Sequence, residues 1–328
     1  MEKDITFLPD DFEFAAKQTE DQAAAVKSDG MLVAVLKRFW DIKSARAGVI
    51  AVGVIVFLAI FGPFMSAFKY DELIVETIDG VTYTASNVAP TLSYEGQNGA
   101  FEGYVFILGT DNLGRDLWTR IWRGTRVSLL VALVAIIINL AVGLPIGLIA
   151  GYKGGMTDSI IQRISEVLNS IPILVVISIL AVFMPKGVWL VILALAITGW
   201  VGISRITRAA TLSVKEMEYV YASRTLGTPT GRILRRTIFP NTVGPIITNL
   251  LFAIPGAIFT EAFLSFVGVG ITPPDCSLGA LMEQGFENMS IYPFQLAPAV
   301  LILAVLMISF NAIGEGVEKA LAPGVADV

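Results

Sequence analysis

Six stretches of this chain run for eighteen or more residues without one charged side chain: 47–68, 127–152, 167–185, 187–204, 237–260 and 288–314. Crossing about 30 Å of hydrocarbon takes roughly 20 residues of helix, so each is long enough, or nearly so, to span a bilayer. No other constraint narrows the fold as far. With no water inside the membrane, a spanning segment must satisfy its backbone internally, so the expected class is all-α and polytopic, with six transmembrane helices in contact with lipid. The third and fourth runs are the shortest and are separated only by Lys186, which predicts a tight helical hairpin. Pro145, Pro172 and Pro255 fall inside runs and are expected to kink them. Composition agrees: 55% of residues are hydrophobic, 16% are charged, and the mean hydropathy is +0.71.

Lysine and arginine set the orientation, because cytoplasmic flanks carry an excess of them. With the N-terminus inside, the inner side collects fourteen: Lys37, Arg38, Lys43, Arg46, Lys153, Arg163, Arg205, Arg208, Lys215, Arg224, Arg232, Arg235, Arg236 and Lys319. The outer side collects six, four of which, Arg115, Arg120, Arg123 and Arg126, crowd the start of the second run and oppose the rule. The majority places both termini in the cytoplasm. The first 30 residues hold eight acids against three lysines, which accounts for the net charge of −5. Lacking a basic start and an apolar stretch, they read as a solvated tail rather than a signal peptide.

Several chemistries drop out. The chain has one cysteine, Cys276, and no histidine, so neither a disulfide framework, a Cys/His metal site nor a histidine-based triad can be built. No G-x-x-x-x-G-K-[ST] occurs to cradle nucleotide phosphates.

The internal segment between the fourth and fifth runs contains EYVYASRTLGTPTGRILRRTIFPN at 218–241. Ser213 to Glu216 fits a capping box, predicting a helix from about Val214. Gly227 fits the left-handed residue that ends it, and Thr228 with Pro229 fits the start of a second helix that bears Arg232, Arg235 and Arg236 on one face before Pro240 interrupts. From physics alone this is either a basic loop on anionic headgroups or a rigid docking corner.

The spacing favours the corner. Gly227 and Pro240 lie thirteen apart, with Ala222 and Ser223 just upstream, which resembles the E-A-A-x-x-x-G-x₉-I-x-L-P loop of ABC-importer permeases. Tyr221 stands in place of the glutamate, Ser223 of the second alanine, Thr237 of the isoleucine and Phe239 of the leucine. LGTDNLGRDLWTR at 108–120 and EAFLSFVGVGITPPDCSLG at 261–279 resemble LGTDxxGRDxxSR and EAxLSFLGLGxxPPxxSWG of the C-type permeases of oligopeptide and dipeptide importers; here Leu278 replaces the usual tryptophan.

The resemblance implies a type I ABC-importer permease in a bacterial cytoplasmic membrane. Its expected partners are a homologous B-type permease, two cytoplasmic ATPase subunits that bind ATP and Mg, an extracytoplasmic peptide-binding protein and the lipid bilayer, with no nucleic acid. The chain itself is expected to carry no cofactor and no catalytic residue. The implied divisions are an acidic tail and juxtamembrane segment at 1–45, a first span and external loop with an interfacial helix at 46–126, a five-helix core at 127–316 containing the coupling loop 205–240, and a tail at 317–328. ATPase coupling falls to Glu218, Tyr219, Ala222, Ser223, Arg224, Leu226, Gly227 and Pro240. An external gate or binding-protein contact falls to Asp111, Arg115, Asp116 and Glu261.

Read from the residues, the segment 109–126 is amphipathic, with Leu113, Leu117, Trp118, Ile121 and Trp122 at helical spacing, and predicts a short interfacial helix. Glu166 is expected to pair with Arg163 or water, and Glu261 to cap the fifth span or bond to nearby backbone, a proton relay being the competing role for these carboxylates. Asn139, Asn169, Asn249 and Asn311 read as interhelical glue, and Gly143 and Gly147 as a close-packing pair. IDGVTYTA predicts a hairpin at Asp79 and Gly80. The rival function is a self-contained secondary transporter or channel, for which no paired carboxylates or internal repeat are found.

Overall fold

The computed structural model describes residues 31–96, 99–273 and 275–321; the acidic start of the chain, expected to be a solvated tail, and the last seven residues lie outside the described residues. Helix α1 (Met31–Asp41) turns through Ile42 into α2 (Lys43–Phe61), which ends in a 3-10 turn at Gly62–Met65. An irregular excursion follows and carries the hairpin expected from the sequence. Strands β1 (Val75–Ile78) and β2 (Val81–Thr84) pair antiparallel with Ile78 opposite Val81. Asp79 and Gly80 turn between them at φ 52° and 77°, both left-handed as a two-residue I′ turn requires.

Helix α3 (Leu117–Lys153) is 37 residues long, and here the sequence reading is corrected. Residues 117–126 form no separate interfacial helix; they are the first turns of the second span itself. Their apolar side faces protein: Ile121 and Trp122 are buried in a cluster with Ile55, Ile258, Leu278 and Leu306. An amphipathic pattern reports two unlike surroundings and does not distinguish lipid from a neighbouring helix.

Helices α4 (Gly155–Asn169) and α5 (Ile173–Phe183) meet at an 80° bend where a single third span was expected. Pro172 disfavours helical backbone at the residue before it and donates no N–H, and here the chain breaks instead of kinking. At 11 residues, α5 rises only about 16 Å. Among the described residues, five helical segments are therefore long and apolar enough to cross a membrane, or six if the bent pair counts as one span. Pro145 and Pro255 lie within continuous helices.

The remaining elements are α6 (Val188–Lys215), α7 (Glu218–Thr225), α8 (Thr230–Ile233), a π turn at Leu234–Ile238, α9 (Phe239–Phe266), α10 (Leu278–Glu287) and α11 (Ala297–Leu321).

Inside a bilayer apolar contact gives little drive, since lipid tails are as apolar as leucine, and close backbone approach takes its place. The expected packing of Gly143 and Gly147 is present and extends one step further. A Cβ on Gly143 would sit 2.6 Å from the Trp200 carbonyl oxygen, on Gly147 2.5 Å from that of Ser204, and on Gly151 2.9 Å from that of Arg208. These three glycines, four residues apart, seat α3 against α6. Gly48 does the same for α2 against Ser309 of α11. Outside the spans, ordinary burial applies: Ile74, Val88, Phe101 and Phe106 form a small core with Phe68 and Tyr94 beneath the hairpin.

Candidate functional site

At one end of the bundle, α6 runs through the expected capping box. Ser213 donates its hydroxyl back to the Ala210 carbonyl at 2.9 Å, so α6 ends at Lys215 and the next helix begins at Glu218, not near Val214. The predicted stop is present. Gly227 has φ +73°, its N–H donates to the Arg224 carbonyl at 2.9 Å, and the Thr228 N–H donates to that of Ser223 at 3.1 Å. Together these bonds form a Schellman cap, which needs a left-handed residue at the glycine. No atom lies within 4 Å of a Cβ built there, so the requirement is conformational and not steric.

The start of the second helix shifts by one residue, with Pro229 as its N-cap and Thr228 outside. Pro240 does not interrupt. It occupies the first turn of α9, where its missing N–H costs nothing, and the π turn joins α8 to α9 directly.

The corner has an inside and an outside. Val220, Ile233 and Ile238 are buried with Val214 against Leu148 and Tyr152 of α3. Arg224 lies 4.7 Å from the Tyr152 ring centroid and donates Nε to its hydroxyl at 3.2 Å, while Tyr221 donates to Glu216 at 2.7 Å. That bond pushes the Tyr221 phenol above its ordinary range. Glu218, Ala222, Arg232, Arg235 and Arg236 face outward, as do Tyr219 (44% exposed) and Leu226 (84%). Ser223 is half-buried and donates to the Tyr219 carbonyl. Behind the corner Arg208 clasps Asp158 with two bonds of 2.6 Å, and Arg163 meets Glu166 at 2.9 Å on the surface, as expected.

The opposite end is constructed differently. Asp111 accepts from the backbone N–H groups of Leu113 and Arg115 through one oxygen, and from Arg115 Nε at 2.8 Å through the other, with Arg120 Nε 3.4 Å away. Arg120 also donates to the Tyr70 carbonyl and to Gln284 of α10. Asp116 caps α3 by accepting from the Thr119 N–H at 3.1 Å; burial pushes its carboxyl up, against the hydrogen bonds from Thr119 and Ser66. Asp111, Arg115 and Asp116 are at most 6% exposed, so the structure puts them inside a clasp rather than on a contact face.

Glu261, fully buried, neither caps the fifth span nor bonds to backbone. It accepts from Ser128 of α3 at 2.5 Å and from Ser265 one turn ahead at 2.9 Å. The same serines bind the following loop: Ser128 accepts from the Leu278 N–H and Ser265 from that of Ile271. Ser277 then starts α10 by capping Ala280, and Gly279 lies against the Ala262 carbonyl, where a Cβ would collide. Ser265, at i+4 from Glu261, was visible in the sequence as a partner; Ser128, 133 residues distant, was not.

Both motif segments and the corner thus prove to be structured junctions in the order the sequence resemblance implies. Residues 143–327 match the family described as binding-protein-dependent transport system inner membrane component, and residues 31–90 match the N-terminal TM domain of oligopeptide transport permease C. The chain belongs to this permease family.

The permease is 36% identical to the oligopeptide transport system permease protein of Bacillus subtilis over 313 residues, 95% of this chain and 96% of the relative. It is also 36% identical to the dipeptide transport system permease protein of the same organism, over 96% of this chain and 93% of the relative. The oligopeptide transport system permease protein of Escherichia coli is 36% identical over 88% of this chain and 89% of its own. Among solved structures, the MetNI methionine ABC transporter in an inward-facing conformation shares the fold, with TM-score 0.53 and 18% identity over 62% of this chain and 96% of that one.

Between its two ends the permease has a mid-length groove of about 310 Å³, lined from α3, α6 and α9 by Asn139, Thr198, Gly202, Asn249, Gly256 and Thr260 among apolar neighbours. No ionised side chain lines it. Asn139 is 7% exposed, lies against Gly199 where a Cβ would collide with its amide, and leaves its Oδ1 without a hydrogen-bond partner. Among the described residues neither Asn139 nor Asn249 bonds to another helix, so the expectation of interhelical glue is not met there.

Proposed function

We propose that this permease is one of two homologous membrane subunits of an ATP-driven peptide importer, with six spans and both termini in the cytoplasm. A cytoplasmic ATPase subunit docks on α7 and moves the spans through the Gly227 corner. Two such subunits hydrolyse ATP with Mg, a homologous B-type permease completes the pathway, and an extracytoplasmic peptide-binding protein delivers substrate. The chain performs no chemistry itself.

One observation carries this reading: a capped corner packed on α3 through Val220, Ile233 and Ile238 while Tyr219, Ala222 and Leu226 face outward. Tyr219 and Leu226, on a mount fixed by its own buried face, offer an apolar contact to a docking partner. The groove supports the substrate class. Amide and hydroxyl groups, including the orphaned Asn139 oxygen, suit the backbone of a peptide, and a wall without ionised groups discriminates little between side-chain charges. Both oligopeptide and dipeptide permeases stand among the relatives, and we assign oligopeptides.

The test is Gly227→Val in the assembled transporter in proteoliposomes. Membrane insertion is expected to be normal, while binding-protein-stimulated ATP hydrolysis no longer drives uptake; normal uptake by this variant overturns the assignment. Stronger stimulation of the wild-type ATPase by loaded pentapeptides than by dipeptides supports the longer substrate, and the reverse order refutes it.

A further inference from the structure

Of the four arginines that crowd the start of α3 against the charge rule, Arg115 and Arg120 pair with Asp111. Arg126 donates to the Ala59 carbonyl at 2.7 and 3.0 Å and to that of Ile60 at 3.1 Å, closing the C-terminus of α2. Arg123 is different. It lies 5.1 Å from the Tyr70 ring centroid, and its Nε is buried without a hydrogen-bond acceptor. Neither Arg123 nor Arg126 forms an ion pair among the described residues. A buried guanidinium N–H without an acceptor is costly unless something supplies one.

Both arginines border a pocket of about 470 Å³ at this end of the bundle, with Lys69 on its wall and Asp71 as its one carboxylate. Arg126 also lines a second, adjoining groove of about 400 Å³, and this one is apolar. It runs between α2 and α3, with Ile254 of α9 and Phe310 of α11 behind, and is bordered by Val56, Ile60, Leu130 and Leu133. Ile60, Leu130 and Leu133 are 45%, 50% and 57% exposed. The two cavities meet at the boundary of the hydrocarbon: Arg126 is the last charged residue before the uncharged run 127–152, and Phe64, 82% exposed, stands at the rim of the basic pocket. A cationic cup opening onto a greasy slot at headgroup depth has the charge and shape of a phosphate joined to an acyl chain.

We infer that this cup and slot hold an anionic phospholipid, its phosphate on Arg123 and Lys69 and its acyl chain along the groove below Arg126. On the orientation proposed above the lipid belongs to the outer leaflet. The bound phosphate supplies the acceptor that Arg123 lacks and braces the junction between α2 and α3.

The experiment uses the intact transporter in detergent, titrated with phosphatidylglycerol, phosphatidylcholine or soluble glycerol phosphate and read by thermal shift, with retained lipid quantified by mass spectrometry. Phosphatidylglycerol is expected to be retained and to stabilise in preference to the other two. Arg123→Gln and Lys69→Gln are each expected to weaken it about fivefold. Leu133→Trp, which fills the slot and leaves the cations intact, is expected to displace the lipid as well. Three results overturn the inference: equal binding of the two phospholipids, an unchanged phosphatidylglycerol affinity in the double cation variant, or glycerol phosphate acting as well as the lipid. Capture of another protein subunit by a photo-crosslinker at Leu133 overturns it too. Since the readout is lipid binding, the outcome is independent of whether the transport assignment stands.

Discussion

At the clasp end of the bundle Asp111, Arg115, Asp116, Arg120 and Glu261 are at most 6% exposed and bond to one another, to serines and to backbone. At the corner end Tyr219 and Leu226 are 44% and 84% exposed, and α7 has no side-chain cap at its start. Both regions resemble family motifs, but the charged residues of the clasp are spent on internal bonds, whereas Tyr219 and Leu226 of the corner are exposed. A recurring sequence can mark a permanent internal fastening as readily as a meeting place; burial separates the two.

The contrast is broken most severely at Asp111. Asp111→Asn keeps the shape and an oxygen to accept from the Leu113 and Arg115 N–H groups but leaves Arg115 and Arg120 without their counter-charge, and the expected loss is about 3–5 kcal/mol, read as a lowered unfolding temperature in detergent. Gly279→Ala should cost about 1–3 kcal/mol by forcing a methyl into the Ala262 carbonyl, again with no direct effect on any partner. Gly227→Val is predicted to cost only about 1–2 kcal/mol, for strained left-handed backbone, yet to abolish uptake. Leu226→Ala should lie within about 0.5 kcal/mol of wild type in stability while weakening ATPase docking in a pull-down. If the substitutions at the clasp end proved harmless to stability, or Leu226→Ala harmful to it, the division between the two ends would fail.

Cys276 offers the finest test. Burial pushes its thiol up to about 11, and it donates to the Arg120 carbonyl at 3.5 Å inside the clasp. Little thiolate exists at pH 8, so maleimide labelling of the native protein should be slow and should become fast in the Asp111→Asn variant.

Much of this was legible because the membrane simplifies the code. Uncharged runs located the helices, Gly227 announced its positive φ, Asp79 and Gly80 their turn, and Gly143 and Gly147 their interface. The misreadings share one cause: each local signal was sound and was overruled by a longer-range one. The capping box at Ser213 would start a helix in isolation, but α6 arrives there already formed. The amphipathic face at 117–126 meets α2, α9 and α10 instead of lipid. Pro172 breaks a span where Pro145 and Pro255 are tolerated, and α10 follows Ser277 from a cap that leucines at 278 and 281 could have revealed. The Glu261–Ser128 pairing joins residues with no sequence relation and needed coordinates to be seen.

Helix α3 starts in the clasp at Asp116 and reaches the corner through Tyr152, and its glycines bring its backbone close against α6. At 37 residues it is a rod of about 55 Å. A lever of that length, tilted by about 5°, carries its far tip roughly 5 Å. Force applied at the corner therefore needs no chain of side-chain rearrangements to be felt at the clasp, because one helix already touches both.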